Sequence, residues 1–168
     1  MRARQASEEA RRAREFEAFV AGAAGRLLHA ATLLTAEGPD DNPGARRLLT
    51  LALAHTYASW DRLRGEDPYD RTRRQVALRF ARGAWHRRGH RYGRHRSAPR
   101  GALAALAPQQ RLIVVLGLFE GVADEQTAAL LGLPVERVRT VRARATADLL
   151  HPPRGPAPAA VRPGTAPS

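Results

Sequence analysis

The chain contains no cysteine and no lysine, and aromatic residues make up only 5% of its 168 positions. Without cysteine there is no disulfide framework, no thiolate metal site and no thiol nucleophile, a composition that suits a reducing compartment. Strand-forming residues are sparse beside Ala, Leu and Arg, so summed propensity predicts an all-α protein. There is no glycine-rich phosphate loop and no pair of acids in an apolar setting. His29, His55, His86, His90, His95 and His151 show no metal-ligand spacing with carboxylates, so neither an enzyme, a metal site nor a cofactor is expected. Met1 to Arg14 is charged rather than apolar, and no uninterrupted apolar run nears about 18 residues. A soluble, cytoplasmic, nucleoid-associated protein without a membrane partner is the expectation.

The formal charge is +12, and all 28 basic residues are arginine. GC-rich coding would produce the same preference. Phosphate binding is the functional reading, because the guanidinium is a planar fork of donors. Distribution separates the two better than the total does. From Arg71 to Phe119 there is no Asp or Glu, while Arg stands at 71, 73, 74, 79, 82, 87, 88, 91, 94, 96, 100 and 111. Codon bias does not remove acids from one stretch, so this middle reads as an anion-binding surface for nucleic acid, with a membrane surface or acidic protein as the other anions to weigh.

Apolar spacing places helices along the chain. Phe16, Val20, Ala23, Leu27, Ala31 and Leu34 step by three and four within Glu8 to Thr35. Gly38-Pro39 and Asn42-Pro43 break the chain. Leu49, Leu53, Tyr57 and Trp60 mark a second helix from Ala45 to Leu63, with Gly65 as its stop. Asp67-Pro68 opens a third, to about Arg88. Further helices are expected at 102–107, 108–119, 124–131 and 134–150. The expected organisation is an N-terminal three-helix domain over 8–89, a basic flexible linker at 90–101, a C-terminal domain over 102–150 and a disordered Pro/Ala-rich tail at 151–168.

The last two helices carry the sharpest pattern. A helix-turn-helix requires a small residue where the first helix meets the second, a glycine for the left-handed turn and apolar residues pinning the second helix. Ala128, Gly132, Val138 and Val141 meet those demands, and Asp124 is a candidate N-cap. With Val138, Val141, Ala145 and Leu149 inward, Arg137, Thr140 and Arg144 face outward, with Glu136 and Arg139 alongside. The entrance of this helix suits base edges in a major groove; Arg142 and Arg144 suit phosphate.

Phe16-Glu17-Ala18-Phe19, Tyr57-Ala58-Ser59-Trp60-Asp61-Arg62, Asp67-Pro68-Tyr69, Trp85-His86-Arg87-Arg88, Leu103 to Arg111 and Thr127 to Gly132 together resemble the extracytoplasmic-function sigma factors of bacterial RNA polymerase. The resemblance implies a sigma-2-like and a sigma-4-like helical domain and partners in core RNA polymerase and in double-stranded and melted promoter DNA. An antagonist protein, an anti-sigma factor, held between the domains would also be in keeping. Carried over by position, the upstream element is read by the Val135 to Arg144 helix. The melting surface comprises Tyr69, Arg71, Arg73, Arg74, Arg82, Trp85, Arg87 and Arg88. Polymerase docking falls to the second helix, with Arg46, Leu49, Leu53, Tyr57 and Trp60 as candidates. That helix departs from the family pattern: Arg46-Arg47 stands where acidic and glutamine residues are usual, and no acid occurs between Asp41 and Asp61. A sigma-like regulator that binds DNA or another protein without the usual docking is therefore the alternative.

Overall fold

A computed structural model describes residues 2–63, 65–86 and 100–151. Helices α1 (Arg2–Thr35), α2 (Pro43–Ala58) and α3 (Pro68–His86) form the N-terminal half. Helices α4 (Pro108–Val114), α5 (Asp124–Leu131) and α6 (Val135–Leu150) form the C-terminal half. Short 3-10 turns lie at Trp60–Arg62 and Ala102–Ala105, and a π-helical turn, Val115–Phe119, continues α4. There is no strand among the described residues, and the fold is all-α. The linker expected at 90–101 falls almost wholly outside the described residues, as do the tail beyond His151, Arg87 and Arg88.

The predicted stripe of α1 is the core stripe: Ala23, Leu27, Ala31 and Leu34 are buried against Leu49 and Ala52 of α2 and Val76, Ala77 and Phe80 of α3. By length and hydropathy, the Arg4–Thr35 part of α1 is long and apolar enough to cross a membrane. An uninterrupted run is absent, but the average over a window is high because alanine fills the gaps. Inside the fold about a third of that window is buried, on the side that meets α2 and α3. At the far end, Phe16 and Phe19 cluster with Tyr57 and Trp60 at tilted and edge-on angles, and Arg12 lies 4.6 Å over the Tyr57 ring.

Helix boundaries differ from the sequence expectation at the start of α1, which begins at Arg2 rather than Glu8, and at both ends of α2. Helix α2 stops at Ala58 rather than Leu63, because the Ser59 amide turns back to the Thr56 carbonyl and the Ser59 hydroxyl bonds the His55 and Thr56 carbonyls. Such local bonds draw serine out of helical continuation. Gly65 has φ +89°, as a left-handed turn needs, but it serves the loop beyond the 3-10 turn. The start of α2 is satisfied at a distance: the Glu37 carboxylate accepts from the Gly44 and Ala45 amides at 3.0 and 2.8 Å. A buried Thr56–Thr72 hydroxyl pair at 2.9 Å ties α2 to α3.

Most buried apolar residues of both halves form one continuous cluster, from Ala23 to Val138, and Leu106, Val114 and Ala145 form a smaller second one. Arg111 crosses between them. It is 7% exposed and donates to the carbonyls of Leu34 and Leu106, both at 3.0 Å, and its desolvation pulls the guanidinium below its ordinary pKa. The Arg100 amide donates to the Ala36 carbonyl at 2.7 Å.

Candidate nucleic-acid interface

The turn between α5 and α6 is built from Gly132, which caps α5 in the left-handed conformation (φ 65°, ψ 37°), and from the Leu133 amide, which returns to the Ala128 carbonyl at 3.0 Å. A residue with a Cβ pays a steric penalty there and glycine does not. Beyond the turn, Val138 and Ala145 are 0% exposed, and Val141 and Leu149 pack against buried neighbours. Holding those four inward leaves Arg137, Thr140 and Arg144 exposed on the other side of α6. Among the described residues, neither the Arg137 nor the Arg144 guanidinium has an acidic partner, and the Thr140 hydroxyl bonds the Glu136 carbonyl at 2.8 Å.

The other two arginines of α6 are held. Arg139 lies 2.6 Å from Glu125 and from Glu136, with Asp124 at 3.8 Å, and Arg142 lies 2.7 Å from Asp124. The Glu136 charge first, then Glu125, raises the Arg139 pKa, while a backbone hydrogen bond and then Arg139 lower that of Glu125. Asp124 is therefore not the N-cap of α5. That position belongs to Ala123, and Asp124 opens the helix and ties α5 to α6. Sequence spacing gave no sign of this tie, since its partners are 18 positions apart.

On α3, Arg74 and Arg82 are exposed. Arg71 pairs with Glu66 at 3.1 Å, and Arg73 with Asp70 at 2.9 Å. Trp85 lies in the last turn of the helix, but its side chain is outside the described residues, as are Arg87 and Arg88. Tyr69 turns toward the C-terminal half, where its hydroxyl donates to Glu120 at 2.9 and 3.0 Å from the two carboxylate oxygens. Burial first, and then that carboxylate, push the phenol above its usual pKa. Arg26 and Arg73 stand over the Tyr69 ring at 5.4 and 6.0 Å.

Of the α2 positions expected at a polymerase surface, Arg46 is exposed and donates to Asn42 at 2.9 Å, with Arg47 exposed beside it. Leu49 is buried in the core and Leu53 packs against it. Tyr57 and Trp60 belong to the aromatic cluster with Phe16 and Phe19. The outward face of α2 is instead Arg46, Arg47, Thr50, Leu51, Ala54 and His55.

The chain is similar to a protein described as RNA polymerase sigma-E factor from Streptomyces coelicolor, 30% identical over 152 residues that cover 80% of this chain and 84% of the relative. A second RNA polymerase sigma-E factor, from Streptomyces avermitilis, is also 30% identical and is covered over 83% of its length. The chain belongs to the sigma-factor family, of the extracytoplasmic-function kind. No family model and no solved structure matches it. Similarity to the relatives thus runs through both halves of this sigma factor, so the cationic α3 face and the α5–α6 turn belong to one related stretch.

Proposed function

We propose that this sigma factor binds promoter DNA with both halves, and thereby directs RNA polymerase to its start sites in the cytoplasm. Helix α6 reads the upstream element in the major groove, and the α3 face captures the melted strand. The observation that carries the reading is the outward stripe Arg137, Thr140 and Arg144, presented by the Gly132 turn with no acid among the described residues neutralising its arginines. Arginine reads guanine through a bidentate bond, and threonine meets a thymine methyl. Because Arg139 and Arg142 are engaged with Asp124, Glu125 and Glu136, they orient α6 and reach phosphate only by exchanging partners. On α3, Arg74 and Arg82 track the backbone of a single strand, and Tyr69 supplies an aromatic surface for a base.

Selection of duplexes from a random pool, followed by in vitro transcription with core polymerase on the selected sequence, tests this. A recovered consensus that supports initiation is expected; binding without any sequence preference would overturn the reading of α6. A second reading, a sigma-like regulator with a different docking partner, is favoured by the exposed Arg46 and Arg47 on α2. Like charges across an interface oppose association with a basic partner. Pull-down with core polymerase separates the two: retention of core supports the initiation factor, and DNA binding without core supports the regulator.

A further inference from the structure

Glu120 follows the π-helical turn Val115–Phe119, and Gly121, at φ +67°, reverses the chain behind it so that the carboxylate points inward. Its side chain is 1% exposed. Among the described residues, the hydroxyl and guanidinium groups that pair with it come from the other half of the molecule: the Tyr69 hydroxyl at 2.9 Å, Arg73 at 3.6 Å from α3, and Arg26 at 3.7 Å from α1. One carboxylate thus accepts a hydrogen bond from a phenol and pairs at longer range with two guanidiniums, of which Arg73 also pairs with Asp70; a phosphate of a single strand would meet the same groups on this face. Alongside it the halves part. A cleft of about 350 Å³ opens between Asp70, Arg73 and Arg74 of α3 and Leu116, Gln126 and Leu130 of the C-terminal half.

We infer that Glu120 is an intramolecular stand-in for DNA phosphate: it latches the two halves together, covers Tyr69 and Arg73, and is displaced when a melted strand binds. The inference rests on the reading of the α3 face as the strand-binding surface. The halves also share a buried apolar cluster, so Glu120 supplies the polar edge of their contact beside the cleft, where its partners can change without exposing that core. A surface that is free in only a fraction of molecules binds with an apparent affinity lowered by that fraction. The latch therefore weakens strand binding in the closed form, and a DNA strand that takes over Tyr69 and Arg73 opens it.

The absence of cysteine makes the test direct. Dyes placed through Ala54→Cys on α2 and Ala147→Cys on α6, both exposed positions, report the separation of the halves in the full chain. Glu120→Gln keeps the size of the side chain and removes its charge. Expected are a larger inter-dye distance and oligothymidine binding that is roughly three- to tenfold tighter than in the parent. Arg26→Ala, at a position 56% exposed, removes one leg of the latch without touching the buried acid and should shift both readings the same way by less. An unchanged distance in both variants would overturn the latch. Opening without tighter binding, while Arg74→Ala and Arg82→Ala still weaken binding, would leave the strand-binding face standing and overturn its masking. If Arg74→Ala and Arg82→Ala bind oligothymidine as the parent does, the reading of the α3 face fails and the mask falls with it.

Discussion

Arginines that look alike in the sequence divide by what they touch. Arg137 is exposed and unpaired among the described residues, so Arg137→Ala should cost about 1 to 3 kcal/mol of discrimination between promoter variants. Competition binding with single-base variants checks this, and an equal loss on every sequence would reassign the residue to phosphate. Arg111 stands at the opposite extreme. It falls in the acid-free stretch that reads as an anion-binding surface, yet it is buried and spent on two backbone carbonyls. Tyr69 provides a pH signature. Its phenol is raised above the ordinary value of 10.0 in the fold, so the neutral form is favoured by folding. That stabilisation is fully present below about pH 10 and is lost as the pH climbs toward the raised folded value. Thermal melts should show stability falling above pH 10, and Tyr69→Phe should flatten the fall; an identical decline in the variant would refute the assignment.

Among the elements, the α5–α6 pair depends on one backbone conformation and one carboxylate. Gly132→Ala places a Cβ in the left-handed region and should destabilise the fold by about 1 to 2 kcal/mol, read as a lower denaturation midpoint with an unchanged slope. Asp124→Asn releases Arg142 and loosens Arg139. Affinity for unrelated duplex DNA should then rise, and its salt dependence should steepen by up to about one logarithmic unit for each phosphate newly contacted. An unchanged slope would mean that these arginines stay structural. The periodicity of α1, α3, α5 and α6 was legible in the sequence because helical faces repeat every three to four residues. The end of α2 was not, since serine and threonine hydroxyls competing for carbonyls leave no periodic trace.

Across the whole molecule, the two halves meet in a shared apolar cluster reinforced by Arg111 and by the Tyr69–Glu120 bond. Promoter binding that combines α6 with the α3 face must reckon with that contact, and duplex affinity should fall steeply with salt, as in any site that neutralises several phosphates. A flat response in an anisotropy titration would reject nucleic acid as the principal partner. The sequence by itself determined where most helices lie, that Gly132 turns the chain, and that Arg137, Thr140 and Arg144 share one side of α6. Each of these follows from spacing within a few residues. Only the tertiary structure decided which charges remain available, because the acids that engage Arg73, Arg139 and Arg142 include some that arrive from other helices. Tyr69 and Glu120 are 51 positions apart, a distance over which local periodicity carries no information and only packing brings the groups together.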